Sequence, residues 1–258
     1  MLVCMGFLLC ACSPNACNSG REINSVNHRG YRDAPENTLA AFRLSKEKGF
    51  DMVECDVRFT KDGNPVLLHD ATVNRTSNGR GKIDNLTLEE VKRLDFGSWK
   101  SKAYTGEKIP TFEEFIVLCV ELQLHPYVEV KGSATFEQAQ ALVDVVNKAD
   151  LAVTWISYNR DVLSCIVDLR AQDRFGLVTN LVTIDGLKFL QNLSQKVQVF
   201  VDANCIFLTK NQIKLCKKYG IPLEMWTVNS QSVIESIDEY VSGVTSDYLN
   251  AQTIFNNM

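Results

Sequence analysis

Histidine is scarce in this chain. There are three in 258 residues, at His28, His69 and His125, so any proton-transfer site built on imidazole has few places to be. Positive charge is not in excess either: net charge is −4, and no overall basic field is present to attract nucleic acid. Affinity for an anionic ligand must then come from a local site. No apolar run approaches the ~18 residues that a membrane-spanning helix needs. Cys55, Cys119, Cys165, Cys205 and Cys216 stand singly among apolar neighbours without Cys-x-x-Cys spacing. That excludes a zinc or dithiol motif and predicts buried free thiols acting as small hydrophobes. No Gly-x-Gly-x-x-Gly follows the first strand candidate, which argues against a dinucleotide-binding sheet.

What is present is a soluble, core-forming composition, 45% hydrophobic and 22% charged. Strand candidates at 23–28, 52–58, 126–131, 154–157, 174–178, 197–201, 223–228 and 243–246 alternate with helix candidates. The latter fall at 38–48, 111–122, 136–148, 160–171, 184–192, 210–219 and 232–240. Eight such units predict an α/β fold, a TIM (β/α)8 barrel, over residues 21–258. Its rhythm breaks once, at an insertion of about residues 70–110 after the second strand, rich in Asn, Gly, Thr and Lys. Residues 1–20 read as a leader and tether. Leu9-Cys10-Ala11-Cys12 resembles a bacterial lipobox, which makes Cys12 the expected lipidated residue. The expected location is an exported one, in the periplasm or lipid-anchored to the envelope.

Glu54 and Asp56 are two apart on a strand candidate, so their side chains share one face, the barrel interior. Two carboxylates buried together are costly unless a cation or positive partners neutralise them. Glu129 and Lys131 repeat the spacing on the next barrel strand candidate. Three acidic residues from neighbouring strands suit a hard cation, Ca²⁺ or Mg²⁺. The competing reading is a buried salt-bridge network closed by Lys131 and Arg58. His28 closes the first strand candidate, and Arg29 beside it offers a fork for phosphate oxygens. A hairpin turning at Asp62-Gly63 as a two-residue loop sets Asp56 opposite His69, roughly 5 Å apart at Cβ. Two histidines beside one carboxylate cluster fit phosphodiester cleavage, which needs one proton taken and one delivered. Trp226 lies towards the end of its strand candidate, where it can wall the pocket or pack as a barrel-top core residue, whereas His125 sits at the opposite end of its strand.

The linked motifs His28-Arg29-Gly30, Pro35-Glu36-Asn37-Thr38, Glu54-Cys55-Asp56, Thr60-Lys61-Asp62-Gly63, His69-Asp70, Arg75-Thr76-Ser77-Asn78-Gly79, Ile109-Pro110-Thr111, Glu129-Val130-Lys131 and Trp226-Thr227-Val228-Asn229 resemble the glycerophosphodiester phosphodiesterase family. The resemblance runs from Val26 to Leu249. It implies hydrolysis of a small-molecule glycerophosphodiester to sn-glycerol 3-phosphate and an alcohol. It further implies His28 and His69 as the acid/base pair, Glu54, Asp56 and Glu129 as metal ligands, and Arg29 and Lys131 on the phosphate. Two stretches depart from the pattern: Ser246-Asp247-Tyr248-Leu249 stands for Thr-Asp-Tyr-Pro, and Ser157-Tyr158 for Ser-Phe. Two other readings are open on the sequence. One is a lysophospholipid- or sphingolipid-cleaving barrel with Phe96, Trp99 and Tyr104 forming an apolar groove. The other is a lipid-anchored binding protein that has lost catalysis.

Overall fold

Threonine and asparagine set the starts of most helices. In the computed structural model, Thr38, Thr87, Thr111, Thr135, Asn159, Thr183, Thr209 and Asn250 each accept a backbone N–H of the first helical turn. Four of them, Thr87, Thr111, Thr135 and Thr209, close reciprocal capping boxes with Glu or Gln three residues on. The structure describes residues 22–258. The leader, tether and Cys12 therefore lie outside the described residues.

The chain order is β1 (Asn24–His28), α1 (Leu39–Glu47), β2 (Met52–Phe59), β3 (Pro65–Leu67), α2 (Leu88–Arg93), α3 (Phe112–Leu122) and β4 (His125–Val130). It continues through α4 (Phe136–Ala149), β5 (Thr154–Ser157), α5 (Arg160–Leu169), β6 (Arg174–Thr179), α6 (Ile184–Leu193) and β7 (Gln198–Asn204). It ends with α7 (Lys210–Tyr219), β8 (Leu223–Trp226), α8 (Gln231–Glu235), β9 (Val241–Ser246) and α9 (Ala251–Asn256). The sheet order β1-β9-β8-β7-β6-β5-β4-β2, closed by a β1–β2 pairing, is a parallel eight-stranded ring. This is the expected TIM barrel. The antiparallel β3 is appended to the end of β2.

Two cores flank the strands. The larger, between strands and helices, takes Val53, Cys55 and Val57 of β2, so Cys55 faces the helix layer. The smaller lies inside the ring, where Val26, Tyr127, Ile156, Val178 and Phe200 pack together. Gly176 makes room for this inner layer, because a Cβ there would fall 2.4 Å from the Phe200 ring. One end of the ring is plugged by Glu224, which accepts from Arg174 Nη1 at 2.7 Å and Asn24 Nδ2 at 2.8 Å. Glu224 is 1% exposed. Glu224→Ala would leave the Arg174 guanidinium without its buried partner, a loss expected to cost about 3–5 kcal/mol. A urea midpoint indistinguishable from wild type would refute that.

Some boundaries differ from the sequence reading. β7 runs on past Val201 to Asn204 and carries Asp202 into the barrel wall. The helix expected at 232–240 stops at Glu235, where Ser236 Oγ turns back to the Val233 carbonyl and Asp238 takes the Tyr240 N–H. Side chains competing for backbone groups end it early. The insertion has a small core of its own, Val66, Leu68, Val73, Ile83, Val91, Phe96 and Ile109. Phe96 is thus spent on internal packing and is not available to an apolar groove, while Trp99 is exposed. Cys55, Cys119 and Cys216 are buried and free, and Cys165 and Cys205 are half-buried and free. Among the described residues no helix is long and apolar enough to cross a membrane.

Candidate active site

The site forms where β1, β2 and β4 end. His28 is the last residue of β1, and Arg29 and Gly30 follow in left-handed conformations, at φ 55° and 81°. Gly30 is required twice over, since a Cβ would also meet Ala41 Cβ at 2.5 Å. This tight turn aims the Arg29 backbone N–H at Glu54 Oε2, 3.0 Å away. The run Pro35-Glu36-Asn37-Thr38 now has a mechanical explanation. Asn37 clamps Asp56 by donating to its Oδ2 (2.8 Å) and accepting its backbone N–H (3.1 Å). Thr38 caps α1, and Glu36 binds both Arg29 and Arg75.

Glu54, Asp56 and Glu129 come together as expected. One carboxylate oxygen from each lies within 4.8 Å of the others, and all three residues are buried. Neighbouring positive charge does not neutralise them all. Lys131 Nζ lies 2.9 Å from Glu129 and 3.4 Å from Asp56, and Arg29 Nε lies 3.1 Å from Asp56. Arg58 does not join; its Nε holds the His69 carbonyl at 2.8 Å. Two cations thus face three carboxylates. Burial opposes ionisation of Asp56, but Arg29 and Lys131 outweigh it and hold the carboxyl at about 2. Burial, then Asp56, pushes Glu129 up to about 7. Burial, then the same neighbour and Glu129, pushes Glu54 well above the usual range. Glu54 Oε1 and Asp56 Oδ1 are buried without any hydrogen bond. An oxygen-only cluster with unused lone pairs and more carboxyl groups than neighbouring cations fits a hard divalent cation.

His69 reaches the site by a different route from the one predicted. The hairpin closes with three residues, Lys61 to Gly63. Thr60 N–H donates to the Asn64 carbonyl, and Gly63 is left-handed. Asp62 secures this loop by accepting from Thr60 Oγ1 and the Leu88 N–H. The pairing becomes Val57 with Leu67 and Arg58 with Val66, one residue out of the expected register. Asp56 therefore lies opposite Leu68, whose N–H it receives. Strand geometry alone would turn His69 away. Instead β3 ends at Leu67 and the chain bends at His69-Asp70, bringing the imidazole to the cavity.

Each histidine has a carboxylate behind it. His28 Nδ1 lies 2.7 Å from Asp247 Oδ1, and His69 Nδ1 lies 2.8 Å from Asp70 Oδ1. With Nδ1 engaged, Nε2 is the ring atom left for a reacting group. Arg75 grips Asp70 and Glu36 together, tying the insertion to the β1 loop. Burial holds the His69 pKa below its usual value, although Asp56 pulls it up. Sequence reasoning gave neither Asp247 nor Asp70 a role. Both stood within stretches compared with the family pattern, but the contact with His28 needs the ring closure of β9 on β1.

His28, Arg29, Glu54, His69, Glu129 and Lys131 line one cleft together with Tyr158, Trp226 and Asp202. Trp226 meets Tyr158 edge to face at 6.2 Å. His125 is remote, its Nε2 2.9 Å from Thr154 Oγ1 near the other end of β4.

A parallel barrel with polar residues gathered at the C-terminal ends of its strands defines a TIM-barrel enzyme. The sequence profile of the glycerophosphoryl diester phosphodiesterase family matches residues 28–251, and the chain belongs to that family. A glycerophosphodiester phosphodiesterase of Caldanaerobacter subterraneus subsp. tengcongensis is 30% identical over 238 residues, covering 90% of this chain and 96% of the relative. The human glycerophosphodiester phosphodiesterase 1 is 43% identical over 115 residues, covering 43% of this chain and 35% of that protein. Among solved structures, an Oleispira antarctica phosphodiesterase in complex with the product sn-glycerol-3-phosphate superposes with a TM-score of 0.82. It is 30% identical, and the match covers 90% of this chain and 94% of that one.

Proposed function

We propose that the chain hydrolyses glycerophosphodiesters to sn-glycerol 3-phosphate and an alcohol, with a divalent metal and a histidine pair. The observation that carries this reading is the buried Glu54–Asp56–Glu129 triad with its orphaned oxygens, facing His28 and His69 across one cleft. The related Oleispira phosphodiesterase in complex with sn-glycerol-3-phosphate supports the substrate class.

Glu54, Asp56 and Glu129 would hold Ca²⁺ or Mg²⁺, which supplies charge stabilisation and orients the phosphate. Lys131 and Arg29 already stand beside the triad and add fixed positive charge where negative charge develops on phosphate oxygens. One histidine takes a proton from the attacking hydroxyl or water, and the other gives one to the leaving alcohol. Asp247 and Asp70 keep the two rings turned so that Nε2 faces the cleft. Trp226 covers the apolar side of the bound ester.

Product analysis tests the proposal. Glycerophosphocholine and glycerophosphoethanolamine, with metal added, should yield sn-glycerol 3-phosphate and the free amino alcohol. Release of phosphocholine instead, or turnover of lysophospholipids alone, would overturn it.

A further inference from the structure

Asp202 is a carboxyl in the cleft that neither the triad nor the histidine pairs employ. In the closed ring β7 lies four strands from β2 in either direction, so Asp202 faces the triad from the opposite wall. It is 4% exposed, and its Oδ1 is buried without a hydrogen-bond partner. Glu224 is adjacent on β8 but makes no hydrogen bond to it, its Oε1 being taken by Arg174 and Asn24. Its register neighbours are Val178 on β6 and Glu224 on β8, and Ile156 and Trp226 line the same cavity. A buried polar group left unpaired costs a folded protein roughly 1–3 kcal/mol. Asp202 lines the substrate cleft, where a ligand can supply the missing bond.

Resting on the substrate reading above, we propose that Asp202 is the specificity-determining residue that hydrogen-bonds the terminal hydroxyl of the substrate's glycerol moiety. The phosphoryl end is fixed on the β1, β2 and β4 side by Arg29 and Lys131. The hydroxyl farthest from phosphorus is the one that reaches across to β7. Ile156, Val178 and Trp226 receive the carbon skeleton while the carboxyl oxygen receives the O–H. The variable alcohol must point to the open mouth, away from this enclosed wall, so Asp202 reads glycerol and not the head group.

The test compares kcat/KM for glycerophosphocholine and for its analogue with the terminal hydroxyl replaced by hydrogen, in wild type, Asp202→Leu and Asp202→Asn. Wild type should prefer the hydroxylated substrate by at least tens-fold, as sites built to bond a hydroxyl do. In Asp202→Leu that preference should collapse toward unity, mainly through KM for glycerophosphocholine. The isosteric Asp202→Asn, which keeps an acceptor, should retain an intermediate preference and covers the case in which the Leu variant does not fold. A preference unchanged from wild type in the folded variants overturns the assignment, as does an equal loss on both substrates. A loss that follows head-group charge across choline and uncharged esters overturns it too. Absence of wild-type turnover on any glycerophosphodiester overturns the substrate reading, and this inference with it.

Discussion

His28→Ala and His69→Ala should each lower kcat for glycerophosphocholine hydrolysis by about 100- to 10,000-fold, the range that positioned acid–base groups supply. Folding should be untouched. Asp247, the partner of His28, keeps a second bond from Asn229 Nδ2 at 2.5 Å, and Asp70, the partner of His69, keeps Arg75. Neither carboxylate is therefore stranded by the loss of its imidazole. The double variant should lose little more than the worse single one, because both histidines serve one reaction and act as a unit. Asp247→Asn provides a graded control: it keeps a polar partner at Nδ1 while weakening the hold on the ring, so its loss should be smaller. Near-wild-type turnover in either purified alanine variant would remove that histidine from the chemistry.

The second large effect is at Asp56. It receives Asn37, lies beside Lys131 and Arg29, and shares the triad with Glu54 and Glu129. Asp56→Ala should reduce turnover at least as severely as the histidine variants, and it should also erase the thermal response to cation. A ligand at 100 times its Kd stabilises the fold that binds it by about 2.7 kcal/mol. Wild type should thus melt at higher temperature with millimolar Ca²⁺ or Mg²⁺, while the variant's melting point should not move. Binding should also release protons from Glu54 and Glu129, both held up by burial and by Asp56 until a cation arrives. A variant that still shows the full cation-dependent shift would place the metal elsewhere.

Much of this was legible in the chain, and the exceptions share a cause. Period-two spacing placed Glu54 with Asp56, and Glu129 with Lys131, on interior faces, because parallel strands impose that geometry locally. Strand-terminal positions placed His28 and Trp226 at the mouth for the same reason. The register of His69 failed because loop length, set by Gly63 and the Asp62 side chain, is decided by hydrogen bonds that spacing does not reveal. The histidine still arrives because the strand ends two residues before it. Asp247 and Asp202 were missed because their significance depends on closure of the ring. β9 must meet β1 to give His28 its partner, and β7 must run three residues past Val201 to bring Asp202 into the wall. Phe96 looked like a lipid contact by type alone, but the insertion needed it for its own core.

The rate of glycerophosphocholine hydrolysis after exhaustive chelation, followed by titration with Ca²⁺ or Mg²⁺, bears most directly on the buried carboxylate triad. Turnover should fall to background in the stripped protein and return along a saturable curve, with sn-glycerol 3-phosphate as the phosphorylated product. Undiminished turnover in the presence of chelator would contradict a metal-dependent site.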